Sequence, residues 1–162
     1  MTTSEHPSVH DTPSDTPSDT PNDDDSDNDG GFAQFLAIRA DVALAYVNGD
    51  AGPLGQIISH HDPASFFGPG GGRTTGAEEV WRTHRTGARA FGAGSENRLE
   101  ILHTDADDRI GYWVGLQHAV VQIDGHPVPM TLRVTEVFRR EDGDWKLVHR
   151  HADPLAEPTA TG

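Results

Sequence analysis

The sequence predicts an α+β domain in which N-terminal helices cover one face of a bent antiparallel sheet. Three observations carry that prediction. Apolar residues recur at helical spacing through the first half of the chain, whereas residues 110–123, 128–140 and 145–153 alternate with period two. Asp124-Gly125 and Asp142-Gly143 sit between those segments as two-residue hairpin signals, so the strands are antiparallel neighbours. Helices that precede the strands, rather than alternating with them, gather on one side of the sheet.

The elements follow in chain order. Phe32, Phe35, Leu36, Ala40, Ala43, Tyr46 and Val47 form one helical stripe, and Gly49 stands where a helix ends in the left-handed conformation. Asp50 can cap a short second helix through Pro53, Leu54, Ile57 and Ile58. Residues 64–67 read as a short strand running into the glycine-rich bend 68–72, which lacks the Lys-Ser/Thr ending of a phosphate loop. Thr75 with Glu78 resembles a capping box that opens a helix with the stripe Val80, Trp81, His84, Ala88 and Phe91. A strand at 98–103 then leads into the three long segments.

Composition sets the outer bounds. The chain has 162 residues and no cysteine, which points to one folded domain without disulfides or thiol chemistry. Nine of its 26 acids and none of its 12 bases fall in residues 1–30, so the remainder is only mildly acidic and offers no basic stripe for nucleic acid. Residues 1–30 repeat Asp-Thr-Pro-Ser with almost nothing apolar, the composition of a disordered acidic tail. That tail reads either as a solubiliser or as a regulated segment with Thr12, Thr16 and Thr20 each before a proline. The domain is expected over 31–154, with a second loose tail over 155–162. No secretory signal or membrane span is legible, so a cytoplasmic protein is expected.

The candidate site comes from ionisable residues in apolar rows. Glu136 shares a strand face with Met130, Leu132, Val134 and Phe138, where a carboxylate must find a cation, stay protonated or face a wet cavity. His118 lies in the row Tyr112, Val114, Leu116, His118 and Val120 of the preceding segment, and Trp145 and Leu147 lead into His149, His151 and Asp153. A Glu136–His118 pair has the chemistry of a general acid/base dyad; a structural ion pair, or a strand bulge that carries Glu136 past the rim, explains the same residues. The alternation of His149 and His151 could chelate a metal, but no known metalloenzyme motif is present and no metal is expected. His84 reads as a core histidine or a pocket residue, and His60, His61 and Asp62 as a cavity mouth or a solvated loop.

The element order, together with Ala45-Tyr46-Val47-Asn48-Gly49-Asp50, Gly76-Ala77-Glu78-Glu79 and the ending Trp145-Lys146-Leu147-Val148-His149-Arg150-His151, resembles the nuclear transport factor 2-like superfamily, also called SnoaL-like or ketosteroid-isomerase-like. The likeness runs from about Phe32 to Pro154. It implies a cone-shaped curved antiparallel sheet with helices over its concave face and a pocket between them. It also implies a small-molecule ligand, no cofactor, and a homodimer formed through the outer sheet face, here expected to carry Trp113, Gln117, Ala119, Val121, Thr131, Arg133, Thr135 and Val137. Within such a pocket, Glu136 and His118 are the expected catalytic pair and His149, His151, Tyr112, Trp81, Phe67 and Tyr46 the expected ligand contacts.

The superfamily hosts isomerases, cyclases and dehydratases as well as noncatalytic sensors and assembly domains, so fold does not decide function. Val42 and Gly68 occupy the places of the ketosteroid isomerase Tyr and its base, and the Arg with paired Asp of epoxide hydrolases is missing. The closing segment is similar to that of the calcium/calmodulin-dependent kinase association domain, but Ala152 stands where that domain has an Arg.

Overall fold

The computed structural model describes residues 26–157. Three helices, α1 (Ser26–Val47), α2 (Gly52–Ile57) and α3 (Ala77–Ala88), combine with six strands, β1 (Ser65–Phe67), β2 (Arg73–Thr75), β3 (Gly92–Ala106), β4 (Ile110–Ile123), β5 (His126–Glu141) and β6 (Asp144–Pro154). The reading of residues 1–30 as a tail falls, up to residue 25, outside the described residues, as do residues 158–162.

The sheet runs in the order β2-β1-β6-β5-β4-β3. Both hairpin signals act as expected: Asp124 and Gly125 have φ of 51° and 77°, Asp142 and Gly143 of 50° and 85°, the double positive φ that matches strand twist in a two-residue turn. The sheet is curved and open, but it is mixed rather than wholly antiparallel. β1 lies parallel to β6, with Phe66 opposite Arg150, and β2 closes that edge as the return arm of a hairpin through the glycine bend. The capping box at Thr75 does not form, because Thr75 belongs to β2. Asp62 caps α3 instead, accepting the Ala77 N–H at 2.7 Å.

One face of the sheet holds the core. Phe32, Phe35, Leu36, Val42, Ala43 and Val47 turn the apolar stripe of α1 toward the sheet. At one end of this face Phe32 meets Phe138 at 5.7 Å and Trp145 at 5.0 Å between ring centroids, in edge-on packing. Gly111 lets α1 approach β4 there, since a Cβ at that position would lie 2.7 Å from the Phe32 ring.

The faces of the later strands are decided by register. Trp113 pairs directly with Glu136, Gly115 with Val134 and Gln117 with Leu132, so these residues share the concave side. Trp113, Gln117, Ala119 and Val121 are buried accordingly. This corrects the expected outer face. Trp113, Gln117, Ala119 and Val121 lie beneath the helices, while Arg133 and Thr135 are on the outer side together with Tyr112, Val114, Leu116, His118 and Val120. β6 changes face midway. Val137 pairs with His149 but Phe138 with Leu147, a bulge that inserts one residue and sends Arg150 and Ala152 inward after Trp145 and Leu147.

Candidate functional site

Three side chains converge on the Glu136 carboxylate, which is fully buried, and give it four hydrogen bonds. Arg39 donates to it from Nε at 3.0 Å and from a terminal nitrogen at 2.7 Å, a two-pronged contact across the interior. Arg150 donates at 2.6 Å and the Trp113 indole N–H at 2.8 Å. Arg150 also donates to the Gln117 side-chain carbonyl, and Gln117 donates to Asn97 at 2.7 Å. Burial pushes the Glu136 pKa up, but the Arg39 and Arg150 guanidiniums outweigh it and hold the carboxyl at about 2. Glu136 is therefore a fixed anion rather than a proton carrier near neutral pH.

Beside this network the concave face leaves a cavity of ≈ 250 Å³. Its apolar wall includes Ala43, Val47, Leu54, Phe91, Met130 and Leu132, and its polar groups are Arg39, Arg150, Gln117, Tyr46, Thr83 and His84. The Tyr46 hydroxyl donates to the His84 backbone carbonyl at 3.0 Å. The His84 imidazole lies against the Phe66 ring at 4.2 Å between centroids, and its buried Nε2 has no hydrogen-bond partner. Burial first, then the positive charges of Arg150 and Arg39, push the His84 pKa down to about 3, so the ring is neutral. Burial also raises the Tyr46 pKa, against the opposing pull of Arg150 and Arg39.

The residues expected from sequence fall into two groups. Glu136 and Tyr46 belong to this site. His118 does not: its Nε2 lies 2.6 Å from Glu100 on the outer face, so no Glu136–His118 dyad exists. The dyad fails because Glu136 pairs across the strands with Trp113, which puts its row and that of His118 on opposite faces. Tyr112 shares the outer face, its ring against His103 at 5.7 Å. Phe67 packs on His149 and His151 at 5.0 and 5.6 Å, away from the cavity, and Ser65 holds His149 Nδ1 at 2.7 Å. Trp81 packs against the core and His60 rather than lining the cavity.

His60 bonds the Gly55 carbonyl at 2.8 Å, and Asp62 caps α3, so this loop serves the scaffold. Among the described residues no group of His, Cys, Asp and Glu could hold a metal ion. No described helix is long and apolar enough to cross a membrane.

Sequence reasoning missed Arg39, Arg150 and Phe66. Arg39 was detectable: it sits three residues after Leu36 and four before Ala43, a cation inside an apolar helical stripe.

The fold and the sequence agree on a family. The SnoaL-like domain family matches residues 36–157, and the chain belongs to it. A comparison with curated proteins gives no match. Among solved structures, the chain is similar to a candidate dehydratase of the nuclear transport factor 2-like family from Streptomyces avermitilis, with 20% identity and a TM-score of 0.68 over 80% of this chain and 99% of that one. It is also similar to the hub homology domain of calcium/calmodulin-dependent kinase II from Chlamydomonas reinhardtii, with 18% identity and a TM-score of 0.59 over 77% and 98%. A nuclear transport factor 2-like superfamily protein from Salmonella enterica matches with 16% identity and a TM-score of 0.62 over 82% and 92%.

Proposed function

We propose that this chain is a small-molecule-binding domain whose ligand, a compact and partly apolar organic molecule, occupies the space between α1, α3 and the concave sheet. One observation carries the reading: a ≈ 250 Å³ hollow with apolar walls whose lining also includes the polar residues Tyr46, His84, Gln117 and Arg150. The volume suits a ligand at the small end of the usual range. Glu136 serves as the anion that anchors Arg39 and Arg150. Proton transfer on a bound molecule, as in an isomerase, cyclase or dehydratase, would have to involve His84 or Tyr46, and the low pKa of the first and the raised pKa of the second both favour binding over acid/base catalysis near neutral pH.

A thermal-shift screen of metabolites against the full chain tests the proposal, with Ala43→Leu as a variant that fills the hollow. A true ligand at about 100 times its Kd stabilises the fold by about 2.7 kcal/mol. That gain should vanish in Ala43→Leu; stabilisation that survives the filling would move binding elsewhere on the molecule.

The assembly reading has its own support on the outer face. Leu102 is 62% exposed there, beside a groove that Val114 and Leu116 also line. Such an apolar surface suits a second copy of the chain. Sedimentation should give a dimer for the native chain and a monomer for Leu116→Lys; a native chain that sediments as a monomer at roughly 100 μM, where Kd values tighter than that would hold it paired, removes this reading.

A further inference from the structure

We infer that the cavity selects a small organic monoanion, a carboxylate on an apolar body whose nearby hydroxyl or keto oxygen reaches His84 Nε2. The inference rests on the binding reading above and specifies its ligand. Among the described residues that line the cavity, the charged side chains are Arg39 and Arg150, and no carboxylate is present. Glu136 lies behind them, fully buried, and balances one of the two positive charges. A net positive charge therefore stands beside apolar walls, an arrangement that is unfavourable unless an anion or water compensates it.

The donors have spare capacity. A guanidinium carries five N–H groups; Arg39 directs two to Glu136, and Arg150 directs one to Glu136 and one to Gln117. An ammonium ligand would meet two like charges, and a purely apolar one would strand those donors away from water. The second point of recognition is independent of charge. His84 is 4% exposed and its Nε2 has no partner, a buried polar atom that a ligand oxygen or hydroxyl can satisfy. The neutral state of this imidazole leaves the positive charge on the two arginines, at one side of the space.

Titration calorimetry on the full chain at neutral pH tests this with three probes of one skeleton: phenylacetate, the uncharged phenylacetamide, and mandelate, which adds a hydroxyl beside the carboxylate. Phenylacetate should bind at least about tenfold tighter than the amide. Arg150→Met, which leaves Arg39 and Glu136 balanced, should bring the ratio of acid to amide affinity to within about twofold. Mandelate should bind several-fold tighter than phenylacetate, and His84→Phe should remove that preference, a readout that stands even if Arg150→Met does not fold. An amide that binds as tightly as the acid overturns the inference and leaves the binding reading intact. Failure of both acids at roughly 10 mM overturns it as well, and the binding reading falls with it only if no screened neutral compound depends on the cavity.

Discussion

The two ends of the concave face are built from the same helix and the same strand, yet one is solid and the other hollow. At the solid end Phe32, Phe35, Phe138 and Trp145 meet at 5.0 to 6.1 Å between ring centroids. At the hollow end α1 offers Ala43 and Val47 and β5 offers Met130 and Leu132, and their combined bulk does not fill the space. The Arg39–Glu136–Arg150 cluster divides the two, because Glu136 stands between Phe138 and Leu132 in the β5 row. Side-chain size along α1 thus decides where the core ends and the cavity begins. The charged cluster gives the cavity a polar floor that cannot collapse into hydrocarbon packing.

The dividing cluster should be the most sensitive point. Glu136→Gln removes the anion and leaves two buried guanidiniums uncompensated, so we expect a loss of about 3–5 kcal/mol in urea unfolding. A loss below about 1 kcal/mol would mean that water already reaches the cluster.

Truncation on either side of it should then separate the ends. Phe138→Ala opens a void among interlocked rings and should cost about 3–5 kcal/mol. Met130 is only half-buried and already borders empty space, so Met130→Ala should cost no more than about 2 kcal/mol. Equal losses in chemical denaturation would contradict the contrast between a packed and an unpacked end.

His84 ties the hollow end to pH. Its folded pKa of about 3 lies below the usual histidine value of 6.5, so between those values the unfolded chain binds a proton that the folded chain does not. Stability should be complete above about pH 6.5 and should fall through this window toward pH 3, by roughly 1.4 kcal/mol per pH unit from this group. His84→Phe should flatten the wild-type slope of unfolding free energy between pH 6.5 and 4.5 by that amount. Parallel slopes would place the imidazole in contact with solvent.

Much of this was legible in the sequence, and the failures share one cause. Period-two alternation found β4 to the residue and the turn chemistry found both hairpins, because those signals are local. Which row of a strand faces the helices is a tertiary matter, and there the expectation slipped by one residue three times. Tyr112 was expected where Trp113 stands, Phe67 where Phe66 stands, and His149 with His151 where Arg150 stands. In β4 the outer row, with Val114, Leu116 and Val120, is more apolar than the inner row with Gly115, Gln117 and Ala119, so hydrophobicity pointed the wrong way. A wall that encloses a cavity and a polar network carries small and polar residues on its inner side. In β6 the bulge beside His149 shifts the alternation, and nothing in Lys146-Leu147-Val148-His149-Arg150 announces an extra residue.

The smallest expected effects come from adding atoms rather than removing them, and they separate the two ends by sign. Gly111→Ala places a methyl 2.7 Å from the Phe32 ring, which is 2% exposed and held by Phe35, Phe138 and Trp145, so the ring cannot yield. Overpacking of that kind costs about 1–3 kcal/mol, less a few tenths regained from the restricted unfolded chain. Ala43→Leu extends a side chain from α1 into the hollow, where it exchanges empty or hydrated space for apolar contact at negligible helix-propensity cost. It should leave the melting temperature level or raise it, by no more than about 1 kcal/mol of stability. A destabilisation by Ala43→Leu comparable with that of Gly111→Ala would show that the space beneath α1 is not available to a side chain, and therefore not to a ligand.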